Sequence, residues 1–360
     1  MLIFTNRETQ AATNPSAFTR VFQPGSDVLS FAHVTRKGSG FGLSGLQPGL
    51  KDDDAMQLLV PIFQGSKPVL VYLHGNNNAP ATCFERCTRL AEIYDVEVIG
   101  FSWPSEGYLS SGTELPNMAP AVAASADENT EEALSGITAT NRKDGWAERK
   151  IRRYRQAKTN AQDSGDALAR FLRLVAAARL YANQQRLTIA VHSLGCHFLQ
   201  YAIETESSAE SLGAAHNIAL LAACCRAAGH ETWVGKLNPK GQVFITYNKG
   251  DSVLFGAYIA DGGQTKLGAE PGTRLVSTRV RYVSFTNAQV GFGGHGYFVR
   301  DAGKNVPKAP KKLFTRMFRS ERDIREDQGE YARKVYPVGC DSDGSTCYMA
   351  AATDETSGGG

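Results

Sequence analysis

The chain has 360 residues, 42% of them hydrophobic and 21% charged, which allows a globular core and excludes wholesale disorder. It carries 39 basic against 36 acidic residues, a net charge of +3 that is too balanced to mark a nucleic-acid binder. No run approaches the ~18 consecutive apolar residues of a membrane span, and the start MLIFTNRETQ lacks the features of a secretory signal, so a cytoplasmic location is expected.

A single core stops growing at about 250–300 residues, so this length suits one large domain with insertions and loose ends, or two modest domains. Residues 1–55 are rich in Gly, Ser and Asp without a sustained period and read as an N-terminal extension with one or two edge strands. Met56 to Phe63 reads as a short helix. Val69-Leu-Val-Tyr-Leu73 is the first clear buried strand. Five similar runs follow: Val96 to Phe101, Leu187 to Val191, Ile218 to Ala223, Val243 to Tyr247 and Val280 to Phe285. Helical patterns separate several of them. Ala79 to Tyr94 is one, and Ala167 to Tyr181 is another, with Leu168, Phe171, Leu172 and Val175 at i, i+3, i+4 and i+7. Strands buried on both faces and separated by helices predict a mostly parallel sheet sandwiched by helices, an α/β fold occupying residues 56–303.

One stretch interrupts the alternation. Residues 106–141 lack Lys and Arg but hold Glu106, Glu114, Asp127, Glu128, Glu131 and Glu132. The basic run from Arg142 to Lys158 follows directly. Two readings stand: a pair of solvated surface segments, or a lid-like insertion over about 106–145 whose acids pair loosely with the basic helix. Residues 304–360 read as a basic C-terminal extension with an exposed helix from Lys308 to Arg325 and a flexible TSGGG end.

Seven cysteines suit reduced thiols, although Cys340 and Cys347 bracket a loop they would close in an oxidising compartment. Cys83 and Cys87 have no second Cys/His pair at zinc spacing, so no metal site is expected, and Cys224 and Cys225 read as buried packing residues.

The chemistry concentrates in Leu187-Thr-Ile-Ala-Val-His-Ser193-Leu194-Gly195. A strand running into His-Ser-x-Gly and then into a helical pattern is the setting of a nucleophile elbow, where a strained turn lifts a serine Oγ above the sheet edge. Gly195 supplies the small residue on one side, and Val191 stands where the other is usual. A serine needs a base, and the base an orienting acid, in the chain order Ser, Asp or Glu, His. Asp251 follows the strand Val243 to Tyr247, with Asp261 as its competitor. His295 lies in a Gly-rich loop after the last strand and is the only His beyond Asp251. His192 is read as pointing elsewhere. Attack on a carbonyl creates an oxyanion that needs fixed N–H donors; Leu194 N–H is one, and Asn76 N–H, in His74-Gly-Asn-Asn-Asn78, is the other. His74, Asn77, Trp103 and Tyr297 are the substrate-binding candidates, Trp103 being equally readable as core packing.

The order strand-HG, strand-FSWPS, helix, strand-HSLG, strand-GD, strand-HG resembles the α/β-hydrolase superfamily. Phe101-Ser-Trp-Pro-Ser105 is similar to a bacterial branch that pairs an HG-Y-N-type loop with FSWPS, a tyrosine-containing helix and AHSMG; the matching segments here are HGNNN, Tyr154 to Val175 and VHSLG. The resemblance spans about residues 55–300 and implies serine-hydrolase chemistry; a sheet of eight strands or fewer and no cofactor are expected. The expected function is a carboxylic ester hydrolase taking a small-molecule or lipid ester. The alternatives are a lipase or acyltransferase that meets a membrane surface through its basic segments, and a non-catalytic binding module on the same fold.

Overall fold

In the computed structural model, residues 1–116, 134–183, 185–204, 206–275, 277–288, 290, 293–299, 305–320, 338–340 and 346–349 are described. The N-terminal residues form β1 (Leu2–Thr5), β2 (Arg7–Thr9), β3 (Phe18–Phe22), β4 (Ser30–Lys37) and β5 (Gly40–Gln47), followed by α1 (Asp52–Gln64). Then come β6 (Val69–Leu73), α2 (Pro80–Tyr94), β7 (Glu97–Ser102), α3 (Gly145–Asp163) and α4 (Gly165–Ala182). The elbow region holds β8 (Leu187–His192), α5 (Gly195–Ile203), α6 (Glu206–Leu212), β9 (Asn217–Leu221) and α7 (His230–Val234). The chain continues through β10 (Val243–Tyr247), α8 (Ser252–Ala260), β11 (Val280–Ser284), α9 (Lys308–Arg319), β12 (Val338–Cys340) and β13 (Thr346–Met349).

The described strands build an eleven-stranded sheet in the order β12-β13-β11-β10-β9-β8-β6-β7-β1-β4-β5, with β2 and β3 as a separate ribbon. The run from β13 to β1 is parallel, and β12, β4 and β5 add antiparallel edges. Every residue of β6, β8, β9 and β10 is buried, as their continuous apolar runs require when helices cover both faces. The chain leaves β6 toward β7 on one side and returns to β8 on the other. The carboxyl ends of β6 and β8 therefore flank a topological switch point, where open α/β sheets leave a crevice.

Several expectations are corrected. The N-terminal residues supply more than an edge: β1 lies inside the sheet, parallel to β7 and buried throughout. Four residues, Leu-Ile-Phe-Thr, are too few to show a period in sequence. The sheet as a whole also exceeds eight strands: among the described residues the parallel run from β13 to β1 counts eight, and antiparallel β12, β4 and β5 bring it to eleven. Finally, α9 is not exposed. Leu313, Phe314, Met317 and Phe318 sit on one stripe and are fully buried, with Phe314 stacked 5.3 Å from Phe285, while its Lys and Arg residues take the other face. The expected helical stretch from Tyr154 to Val175 divides at Ser164 between α3 and α4.

The centre of the expected insertion, residues 117–133, and the TSGGG end lie outside the described residues. Its start is anchored: Glu106 meets the buried Arg7 at 2.5 Å, and Arg153 of α3 meets Glu114 at 2.5 Å. Among the described residues no helix is long and apolar enough to cross a membrane.

Candidate active site

Ser193 sits between β8 and α5 with φ 51°, a left-handed conformation that costs a non-glycine residue ~1–2 kcal/mol. Its surroundings hold it there. Ser193 N–H donates to Leu221 O at 2.9 Å, and Cys224 N–H donates to Ser193 O at 3.1 Å, so the turn is tied to the end of β9. Close approach is possible because residue 195 is glycine: a Cβ there would stand 2.7 Å from His74 O and 3.0 Å from Leu73 O. The N-terminus of α5 thus presses against the end of β6. Val191 is fully buried in β8, opposite Leu73 and Leu220, and the neighbouring strand β9 is followed by the small residues Ala222 and Ala223.

The loop after β6 is built to stay in place. Trp103 stacks on His74 with ring centroids 5.5 Å apart and planes 9° from parallel, and its indole N–H donates to His74 O at 2.9 Å. Ser105 O accepts from Asn77 N–H at 2.9 Å, and Ser105 Oγ accepts from Asn78 N–H, also at 2.9 Å. The Phe101–Ser105 segment is therefore a bracket for the Asn76 loop. His74 and Trp103 are completely buried, so neither forms the open substrate wall for which it was a candidate. Asn76 and Asn77 are 7% exposed and border a recess between this loop and α3. Among the described residues, no backbone carbonyl accepts from the N–H of Asn76 or of Leu194.

Asp251 is the N-cap of α8. Its Oδ1 accepts from Val253 N–H at 3.0 Å and Leu254 N–H at 2.9 Å, which leaves Oδ2 to meet His295 Nδ1 at 2.7 Å. Both side chains are buried. The competitor, Asp261, is held elsewhere by Lys266, by Lys158 at 2.9 Å and by the Tyr154 hydroxyl at 3.0 Å. Burial works against the Asp261 carboxylate, yet the Lys266 and Lys158 ammonium groups outweigh it and hold its pKa below the usual value.

Two positioning features were not read from the sequence. Asn248 Nδ2 donates to Gly294 O at 2.9 Å, and Ser252 N–H donates to Gly293 O at 3.0 Å, so the Asp251 loop and the His295 loop are stitched together. His192, expected to point away, lies with its ring 4.7 Å from that of His295. The contact brings the His295 loop against the residue preceding Ser193. Tyr297, a substrate-binding candidate, is fully buried instead; it stacks 4.6 Å from Phe285, and its hydroxyl meets Thr246 Oγ1 at 2.7 Å. Aromatic residues after a Gly-rich loop carry no sequence mark separating a core ring from a rim ring.

His197, on α5, faces the Asp261 cluster. Burial, reinforced by the Lys158 and Lys266 charges, pulls its pKa from 6.5 to about 3. The unfolded chain therefore binds a proton below pH 6.5 that the folded chain refuses until about pH 3, and stability falls with acidification across that window. Replacing His197 with Gln is expected to flatten this slope by up to ~1.4 kcal/mol per pH unit. Urea midpoints of both proteins from neutral pH downward measure it; parallel slopes contradict the assignment.

Among the described residues there is no group of His, Cys, Asp and Glu that could hold a metal ion. Residues 59–222 match a family model described as "Alpha/beta hydrolase of unknown function (DUF900)", a match that points to hydrolase activity. It covers β6 through β9 and so includes the Asn76 loop and Ser193; Asp251 and His295 lie beyond it. No curated protein and no solved structure gave a match. With a mostly parallel sheet flanked by helices and this match over residues 59–222, the chain has an α/β-hydrolase fold.

Proposed function

We propose that the protein is a serine hydrolase acting on carboxylic esters through Ser193, His295 and Asp251. The reading rests above all on the buried 2.7 Å pair between Asp251 and His295, placed at the same sheet edge as a serine held at φ 51°. Ser193 Oγ attacks the ester carbonyl while His295 Nε2 takes its proton. Asp251 accepts from His295 Nδ1–H, fixes the tautomer that leaves Nε2 basic, and stabilises the imidazolium as it forms. The developing oxyanion is met by the Asn76 and Leu194 N–H groups and by the N-terminus of α5. His295 then protonates the departing alkoxide, and water admitted to the same base hydrolyses the acyl-enzyme. Ester and water are consumed; acid and alcohol leave.

Hydrolysis of p-nitrophenyl acetate by the purified protein tests the reading. A rapid initial release of p-nitrophenol, stoichiometric with enzyme and followed by a slower steady state, is the expected signature of acyl-enzyme formation. A folded protein that neither releases p-nitrophenol above the buffer rate nor forms an adduct with a fluorophosphonate would instead be a binding module that kept the fold.

A further inference from the structure

The recess beside the Asn76 loop has an unusual lining. It is a small recess of about 40 Å³, open to solvent and bounded by Asn76, Asn77, Glu106 and four residues of α3: Trp146, Arg149, Lys150 and Arg153. Those four stand at i, i+3, i+4 and i+7, so they form one stripe of the helix. Buried Ala147, Ile151 and Tyr154 occupy the adjoining stripe and fix which side faces the recess.

The charge balance of this lining is positive. Glu106 is already bonded to Arg7, and Arg153 to Glu114. Among the described residues, the lining's Arg149, Lys150 and Arg153 face one lining carboxylate, Glu106, an excess of two positive charges. Among the described residues neither Arg149 nor Lys150 has a carboxylate partner; Lys150 rests over the Trp146 ring at 5.3 Å. Arg153 Nε is buried and has no acceptor among the described residues. Trp146 is 41% exposed and offers an apolar wall beside the cations. Asn76 belongs both to this lining and to the loop that the α5 N-terminus presses against, so the recess adjoins the oxyanion donors.

We propose that the ester taken by this site carries an anionic group, a carboxylate or phosphate, which the Arg149–Lys150–Arg153 face of α3 binds while the scissile carbonyl lies at Asn76. The proposal rests on the serine-hydrolase reading and names its substrate class. The cations fix orientation and attract the substrate; they take no part in bond making, and the anionic group leaves unchanged on one of the products. A guanidinium and an ammonium at the mouth of a partly enclosed site bind an anion more strongly than they would in open water.

Paired substrates test this, one pair for each side of the ester bond. Monomethyl glutarate against methyl pentanoate places the anion on the acyl side, and para-acetoxybenzoate against phenyl acetate places it on the alcohol side. In at least one pair the wild-type kcat/KM for the anionic member is expected to exceed that of the neutral one by about tenfold or more, the scale of a charge-assisted hydrogen bond. The preference should shrink with added salt, and the doubly substituted Arg149→Gln/Lys150→Gln protein should bring the ratio near one. A wild-type ratio near or below one in both pairs overturns the proposal. So does a ratio that survives in the double variant with native circular dichroism.

A binding arm separates this outcome from failure of the hydrolase reading. N-benzylsuccinamate and N-benzylbutyramide are titrated calorimetrically into the wild-type protein and the double variant. Tighter binding of the anionic amide, lost by about tenfold in the variant, supports the anion site even if no ester is turned over. Equal or undetectable binding of both amides to wild type counts against it.

Discussion

Ser193→Ala is expected to lower p-nitrophenyl acetate turnover by about 10⁴–10⁶-fold, because the residues of such a triad act as a unit and the remainder cannot form an acyl-enzyme. The fold should survive the change. Ser193 is tied to β9 through its backbone N–H and C=O, and alanine keeps both bonds. Alanine at φ 51° carries about the same strain as serine, so urea midpoints of the two proteins should nearly coincide. Ser193→Gly adds a separate check. Glycine adopts this conformation freely, so the variant should be inactive yet more stable by about 1 kcal/mol. An inactive protein that gains stability marks a residue kept under strain for chemistry. Turnover that survives in either variant removes Ser193 from the mechanism.

The second large effect is expected at Asp251. Asp251→Asn should reduce kcat by about 10⁴-fold with little change in KM, the scale seen when the orienting acid of such a triad becomes an amide. The substitution is diagnostic because Asp251 has two roles that asparagine separates. The N-cap bonds to Val253 and Leu254 can be kept, since Asn caps a helix as well as Asp does. The bond to His295 cannot be kept in its present sense, because an amide N–H facing Nδ1 favours the tautomer with its proton on Nε2, where it cannot act as base. Asp251→Ala should lose activity to a similar degree and in addition about 1 kcal/mol of stability with the cap. Equal stability of the Asn and Ala variants, with activity intact in the former, would make Asp251 a capping residue only.

Much of this arrangement is legible in sequence, for physical reasons. Parallel strands buried on both faces must be continuously apolar, so β6, β8 and β10 stand out as Val69–Leu73, Leu187–Val191 and Val243–Tyr247. A polar residue placed just beyond such a run lies at the carboxyl edge of the sheet, which brings Asp251 and His295 within reach of each other although 44 positions separate them. What escaped were relations that carry no local signal. β1 is four residues long and is stabilised by its neighbours in the sheet. Trp103 and His74 stack on each other, a match that neither segment announces alone. His192 against His295, and Asn248 against Gly294, are contacts between loops whose approach depends on the packing of the whole sheet. The basic run of α3 is visible in sequence as charge, but only the fold turns one stripe of it toward the Asn76 loop.

In the proposed mechanism Ser193 is the nucleophile. Treating the wild-type protein with a fluorophosphonate and mapping the modified peptide by mass spectrometry tests it most directly. One adduct per chain is expected, located on Ser193 and absent from His295→Ala, whose serine lacks a base. An adduct on a different residue, or a folded protein left unmodified, would contradict it.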